Sequence, residues 1–271
     1  MAAPVLPGSD GIGTGRPNTA RVWDYLADGK NAFAADREMA EDLLDPDGGY
    51  PGLRELARDS RRFTAKAVTW LSMPGIRLSA HGIRQFIDAG CGFPGRPPVH
   101  ETAQAGLGPA KVAYVDSDPL VLSHLKAMRD AGPGVAVVDG DLSDPRAVLK
   151  DPALTGVIDP GQPAAVLLTA VLHYFSADAA REITAGWAEM LAPGSALVIS
   201  VLRFADEDLA GRMRRRYTAG TLFNHGPGDV GSFFAGLRIP QGQAAGLRNW
   251  PLPGGSQDGG ASMTGGIGLK G

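Results

Sequence analysis

The chain has 271 residues, 44% of them hydrophobic and 20% charged, which is enough to bury one large core. A net charge of −3 provides no overall field for nucleic acid or an acidic membrane, and no apolar run is long enough to span a bilayer. A single cysteine excludes an internal disulfide, and the N-terminus has no signal-peptide pattern, so we expect a cytoplasmic protein.

The N-terminal quarter of the chain predicts a frayed start followed by three helices. The first residues are rich in glycine and proline, and Asn18 is a candidate N-cap for the first helix. The helices are expected to end near residue 27 and to cover 35–44 and 53–71. The chain is accordingly divided into a flexible N-terminus (1–16), a helical cap (17–75) and a larger α/β domain (76–271).

From residue 85 onward strands and helices alternate, which predicts an α/β fold with a mostly parallel sheet and helices on both faces. Strands are expected at 85–88, 111–115, 135–138, 164–169, 196–201 and 237–239. Helices are expected at 99–105, 119–131, within 144–156, and at 176–191, 203–220 and 229–235. The segment 241–258 is expected to be a loop, and composition alone makes 262–269 a flexible linker.

The turn after the first of these strands is the main functional signal. Asp88 closes the strand, and Gly90 and Gly92 let the backbone turn tightly and approach a ligand, with Cys91 between them. An acid two residues before a Gly-x-Gly pair is the pattern of S-adenosylmethionine (SAM) sites. With Gly95, the same glycines also fit the Gly-x-Gly-x-x-Gly spacing of dinucleotide sites.

The residues after this loop favour SAM over a dinucleotide. A dinucleotide site needs its third glycine inside the first turns of a helix, but Gly95 is followed by Arg96-Pro97-Pro98. The helix is therefore expected to begin near Pro98, too late to present its N-terminus to a phosphate at the second glycine. SAM has no phosphate and needs no such helix, whereas a nicotinamide oxidoreductase remains the alternative.

Acidic residues follow three successive predicted strands. The carboxyl ends of parallel strands meet at one edge of the sheet, so Asp88, Asp116 and Asp141 are expected to lie together. Asp116 could accept both ribose hydroxyls, Asp141 the adenine amino group, and Asp88 the methionine amino end. Thr169-Ala170, at the end of the fourth strand, completes the predicted edge.

His173 follows that fourth strand and is the candidate general base, because the pKa of histidine is near neutrality. The other histidines show no metal spacing, so no metal site is expected. The arginine cluster over residues 212–216 is interpreted as a solvated helix face, although it is the one feature compatible with nucleic acid.

Several stretches of the chain together resemble a class I SAM-dependent methyltransferase, and more narrowly an S-adenosyl methyltransferase family of GC-rich filamentous bacteria. The sequence departs from the broad pattern at Phe93-Pro94, where the loop lacks the usual third glycine. The matching stretches are NTARVWDYL (18–26), GKN (29–31), FAADR (33–37), VHE (99–101), YVDSDP (114–119), LHY (172–174) and LAPGS (191–195).

This resemblance implies a Rossmann-like seven-stranded sheet whose last strand is antiparallel, and it makes residues 264–270 that strand instead of a linker. It also implies that the N-terminal helices cover the cofactor, which adds Tyr25, Lys30 and Asn31 to the candidate site. Ser117 and Leu142, which follow two of the acids, belong to the same candidate set.

The sequence therefore predicts SAM-dependent methyl transfer to an O, N or C nucleophile on a small molecule, with S-adenosylhomocysteine (SAH) as product. The alternatives are a non-catalytic, regulatory SAM-binding protein and an NAD-dependent oxidoreductase. A nucleic-acid acceptor is disfavoured by the acidic charge balance.

Overall fold

The computed structural model describes residues 13–74, 82–129, 134–240, 244–251 and 260–271, except for the side chains of residues 106, 107 and 129. Most of residues 1–16 therefore lie outside the described ranges. Seven strands form one sheet within these ranges, and this confirms the predicted fold class. The strands are β1 (Gln85–Ala89), β2 (Lys111–Asp116), β3 (Val135–Asp139), β4 (Ala165–Thr169), β5 (Ala196–Phe204), β6 (Ala245–Gly246) and β7 (Ala261–Leu269).

The sheet order is β3-β2-β1-β4-β5-β7-β6. Neighbours among β1 to β5 pair in parallel, whereas β7 runs antiparallel to both β5 and β6. Strand β4 is a continuous apolar run in which only the terminal Thr169 is not fully buried, as is typical of a parallel strand that helices cover on both faces. The order reverses at β1 and β4, so their carboxyl ends form a crevice suited to a ligand.

Ten helices accompany the sheet in the part of the chain that is described. Asn18, Ser176 and Asp206 cap the first, eighth and ninth of them with side-chain oxygens. Among the described residues no helix combines the length and apolarity needed to cross a membrane. The helices are α1 (Thr19–Leu26), α2 (Ala34–Leu44), α3 (Leu53–Ser72), α4 (Val99–Leu107), α5 (Pro119–Arg129), α6 (Pro145–Val148), α7 (Pro152–Thr155), α8 (Ala177–Met190), α9 (Glu207–Arg216) and α10 (Pro227–Ser232).

The three N-terminal helices pack onto the sheet and share its hydrophobic core. Helix α3 contacts β4, β5 and β7, and α1 packs between α2 and α3. A buried ion pair joins α1 to α2, with Arg21 Nε 2.6 Å from Asp36 Oδ2. The same carboxylate accepts hydrogen bonds from the backbone N–H groups of Asn18 and Phe33, so its buried charge is well satisfied.

Three predicted elements are corrected. Helix α9 begins at Glu207 instead of 203, because β5 continues to Phe204 opposite Ala261 of β7. Residues 237–239 form only an isolated bridge, between Arg238 and Leu269, and not a strand. The expected loop 241–258 contains β6; its residues 241–243 and 252–258 lie outside the described ranges.

The C-terminal segment is a strand, as the family resemblance implies and contrary to its composition. Strand β7 pairs with β5 over nine residues, from Ala261 opposite Phe204 to Leu269 opposite Ala196. It lies between β5 and β6, so it is an interior strand of the sheet.

Candidate active site

A cavity of about 950 Å³ lies at the carboxyl ends of β1, β2 and β4. Residues of α1, of the α1–α2 connector and of α3 line its other side. This volume is at the upper end of the roughly 300–1,000 Å³ that is usual for ligand pockets.

The loop after β1 has the tight geometry that its glycines predict. Gly90 and Gly92 have φ values of 68° and 57°, in the left-handed region that favours glycine. The N–H groups of Gly90 and Cys91 both donate to the carbonyl of Val115, at 2.9 and 3.2 Å, which folds the loop back onto β2. All three loop residues line the cavity, with backbone exposed to a ligand.

Asp116, at the end of β2, faces the cavity and is already tied to the glycine loop. Its Oδ2 accepts from the N–H of Gly92 at 2.8 Å, and its Oδ1 accepts from the N–H of Asp118 at 2.9 Å. Oδ1 keeps a further lone pair for a ligand hydroxyl, and the second donor to Oδ2 is only the thiol of Cys91, a weak donor at 3.9 Å. Burial raises the pKa of Asp116, and the backbone N–H groups of Asp118, Gly92 and Ser117 oppose that effect.

Asp88 is the acid of this site with the fewest hydrogen-bond partners. The residue is 7% exposed and lines the cavity, and its carboxyl group makes no hydrogen bond to any described residue. Burial, and then the neighbouring negative charge of Asp116, raise its pKa to about 7. A cation in the cavity would stabilise the charged form, so the site is suited to a positively charged ligand.

The remaining strand-end residues also line this cavity. Asp141 is exposed, and its Oδ1 accepts from the N–H of Ser143 at 2.8 Å, which closes a turn after β3. Ala170 has a φ of 56° and donates its N–H to the carbonyl and to the hydroxyl of Ser200, both at 2.9 Å. The lining includes the other predicted residues Ser117, Leu142 and Thr169.

Two of the three N-terminal candidates reach the cavity. Lys30 and Asn31 line it, and Asn31 donates both its backbone and its side-chain N–H to Asp24 Oδ2, at 3.1 and 3.0 Å. Tyr25 does not line it: its hydroxyl donates to Glu41 at 2.7 Å, and its ring contacts the guanidinium of Arg54. Tyr25 thus faces the side of α1 that is turned away from the cavity.

His173 does not line the cavity either. It is 1% exposed, its Nδ1 accepts from the N–H of Leu202 at 3.2 Å, and its ring packs against Trp23 and Tyr174. Burial lowers its pKa to about 3, so the imidazole stays neutral at physiological pH. The geometry corrects its predicted role as general base to that of a packing residue beneath the cavity.

Several cavity residues were missed by the sequence analysis, because their function depends on contacts distant in sequence. Asn18, identified only as a helix cap, also donates from Nδ2 to Asp118 Oδ2 at 2.6 Å and so joins α1 to the β2–α5 loop. Arg61, on α3, was not identified as a site residue, and its guanidinium pairs with buried Asp24 at 2.8 Å. The side chains of Trp23 and Tyr174 add aromatic surface to the lining.

Within the described ranges, no group of three or more His, Cys, Asp or Glu residues is arranged to hold a metal ion. The single cysteine, Cys91, lies in the glycine loop, where burial and the charge of Asp116 raise the pKa of its thiol well above its usual value. A protonated thiol is a poor nucleophile, so Cys91 is best interpreted as a small residue of the loop.

The sheet order, the single antiparallel interior strand and the acid-lined glycine loop define a class I SAM-dependent methyltransferase fold. Residues 7–266 match the family described as S-adenosyl methyltransferase, and the chain belongs to this family. Its cofactor is therefore SAM. No curated protein matches the sequence.

Two solved structures are similar over nearly the whole chain. A protein of Thermobifida fusca YX, described as a candidate methyltransferase, is 30% identical, with a TM-score of 0.81 over 94% of this chain and 95% of that chain. A DUF574 family protein of Streptomyces avermitilis MA-4680 is 28% identical, with a TM-score of 0.82 over 95% and 99%. The plantazolicin methyltransferase BamL, crystallised with SAH, shares only the fold, with 11% identity and a TM-score of 0.50 over 93% and 94%.

The residues of the cavity fit SAM. A Cβ at Gly90 would lie 2.6 Å from Leu142 and 2.8 Å from Val171, so only glycine lets the loop pass this close to the β3–α6 and β4 ends. The unsatisfied carboxyl of Asp88 matches a cationic ligand, and Asp116 retains acceptor capacity for hydroxyls. Helix α4 begins only at Val99, as expected for a site without a phosphate, and this argues against the NAD alternative.

Proposed function

We propose that this protein is an enzyme that transfers the methyl group of SAM to an oxygen, nitrogen or carbon nucleophile on a small molecule. The observation that carries the proposal is the single cavity that joins the glycine loop to the N-terminal helices. The cavity is large for a ligand pocket, and residues of α1 and α3 line it, which favours a small acceptor in this proposal. In this proposal residues 17–75 act as a cap over the cofactor domain, 76–271.

Within this proposal the strand ends hold the cofactor. Asp116 accepts hydrogen bonds from the ribose hydroxyls, Asp141 and Leu142 contact the adenine, and Asp88 faces the methionine amino end, beside the backbone of 90–92 and 169–170. When bound, SAM supplies an electrophilic methyl carbon whose bonding pair returns to sulfur as the acceptor nucleophile attacks. The contribution of the protein is positioning and the exclusion of water.

Turnover is tested by incubating the purified protein with methyl-labelled SAM and a panel of small hydroxy, amino and carboxylic acids and phenols. The expected result is acceptor-dependent formation of SAH together with a labelled product. A protein that binds SAH but methylates nothing would favour the regulatory alternative. A folded protein that binds neither SAM nor SAH, but binds NAD, would contradict the proposal.

The raised pKa of Asp88 predicts pH-dependent binding of SAH. A ligand ammonium group next to this residue favours the carboxylate, so below pH 7 a proton must leave when the ligand binds. The dissociation constant is therefore expected to rise about tenfold between pH 8 and pH 6, and calorimetry in buffers of different ionisation enthalpy should show proton release.

Asp88→Asn should remove most of this pH dependence, while weakening binding at pH 8. His124→Gln is the matched control, because His124 also lines the cavity but is not expected to face the amino group. A slope that persists in Asp88→Asn and disappears in His124→Gln would assign the pH effect to the histidine instead.

A further inference from the structure

We propose that the methyl acceptor carries an anionic group, a carboxylate or a phosphate, which is bound by Lys30, Lys66 and Arg96. These three residues are called the basic rim. The inference rests on the proposed function, because it places a second ligand in the cavity that holds SAM. It adds the chemical class of that ligand.

The basic rim comes from three separate parts of the chain. Lys30 lies in the α1–α2 connector, Lys66 on α3 and Arg96 in the β1–α4 loop, and all three are exposed and line the same cavity. None of them forms an ion pair with a described residue. Lys66 makes one side-chain hydrogen bond, a long one of 3.4 Å to the carbonyl of Trp250.

The neighbouring charged groups of this side of the cavity are neutralised. Arg61 pairs with Asp24 at 2.8 Å, and Arg62 pairs with Asp59 at 2.6 Å and also with Glu55. Among the acids, Asp28 is held by Arg58, with Nε 2.6 Å from Oδ2. The charge that remains unpaired here is therefore positive, and it belongs to the basic rim.

The strand ends that line the same cavity carry negative charge. The ends of β1, β2 and β3 contribute Asp88, Asp116, Asp118 and Asp141 to the lining. SAM is a cation at its methionine end and suits this acidic side, whereas an anionic acceptor suits the rim. This division of charge would hold the two ligands in different parts of one cavity and steer each to its own side.

The lining between charged groups is suited to the body of an organic acceptor. Phe93 and Tyr174 are buried and Trp23 is half-buried, and all three contribute to the cavity wall. Ligand sites typically combine such apolar walls with a few polar groups that fix orientation. Arginine and lysine both bind carboxylates and phosphates, so the rim defines an anion without choosing between the two.

The test titrates the SAH-saturated full chain with inorganic phosphate and, separately, with acetate, at constant ionic strength maintained with sodium chloride. Binding is followed through the backbone amide shifts of the ¹⁵N-labelled protein. The expected result is saturable shifts centred on residues 30, 66 and 96. In Lys30→Gln/Lys66→Gln/Arg96→Gln the dissociation constant of the anion should rise at least about tenfold, as expected for the loss of three charge contacts.

The matched control is Lys126→Gln/Lys150→Gln, which removes two exposed lysines that do not line the cavity. It should change anion binding less than twofold and should retain the SAH affinity of the wild type, and each variant is saturated with SAH before the anion is added. Tighter phosphate binding would indicate a phosphorylated acceptor, and tighter acetate binding a carboxylate acceptor.

Shifts that do not saturate would overturn the inference, and so would an anion affinity that is unchanged in the basic-rim variant. If the wild type still binds SAH, the proposed function is unaffected by either result. Failure of the wild type to bind SAH would instead contradict the proposed function. In that case the same anion titration of the ligand-free protein still reports on the rim.

Discussion

Replacing Asp116 with alanine is expected to weaken SAH binding at least about a hundredfold. In the proposed pose the carboxylate accepts two ribose hydroxyls, and hydrogen bonds to charged groups contribute about 1.5–3 kcal/mol each. Losing both costs about 3 kcal/mol or more, which corresponds to roughly two decades in the dissociation constant. Isothermal titration calorimetry of the wild type and the variant measures this directly.

Two further variants make this result specific. Asp116→Asn keeps one oxygen for the N–H donors of Gly92 or Asp118 but cannot accept both hydroxyls, so it should also bind weakly while preserving the loop. Asp139→Ala removes an exposed acid at the end of β3 that does not line the cavity, and should bind SAH as the wild type does. A dissociation constant for Asp116→Ala within threefold of the wild-type value would exclude Asp116 from the cofactor contact.

Substituting Gly90 with alanine is expected to lower the free energy of unfolding by about 2–5 kcal/mol. A non-glycine residue at a φ of 68° costs about 1–2 kcal/mol. The added methyl group would also approach Leu142 and Val171 to 2.6 and 2.8 Å, and such overpacking typically costs about 1–3 kcal/mol. Urea denaturation measures the loss, which would be a large part of the stability of an ordinary domain.

Gly92→Ala separates the two contributions. Its φ of 57° carries the same backbone cost, but the nearest atom to an added methyl group is the Cβ of Ala20, at 3.9 Å. The expected loss is therefore only about 1–2 kcal/mol. Equal losses in the two variants would show that the loop relaxes around Gly90, and would contradict the steric argument.

The strand and helix pattern of the central domain could be predicted from the sequence because it is a local property. Short apolar runs that end in an acid or at a turn became β1 to β5, and capping residues such as Asn18 and Ser176 began helices where expected. The cluster of Asp88, Asp116 and Asp141 was predictable as well, since parallel strands bring their carboxyl ends together.

The roles of residues near the cavity could not be predicted in the same way. His173 follows β4 as a catalytic base would, but the chain turns it beneath the cavity against Trp23 and Tyr174. Tyr25 and Lys30 lie on the same N-terminal segment, yet only Lys30 lines the cavity. The direction in which each side chain points depends on how α1 packs against α3, and local sequence does not encode that packing.

The sequence by itself determined the class of fold, the glycine loop and the acids that surround it. Hydrophobic periodicity, helix caps and acidic residues at strand ends can each be recognised from a few consecutive residues. Composition predicts a linker for the glycine-rich C-terminal end and the family resemblance implied a strand, but only the tertiary structure gives the physical reason. There, a Cβ on Gly265 would lie 1.9 Å from the carbonyl oxygen of Ile199, and one on Gly268 2.8 Å from Leu237 and Phe234. Those glycines let β7 approach the adjacent segments of the same chain closely, and the need for them is visible only once those segments are in place.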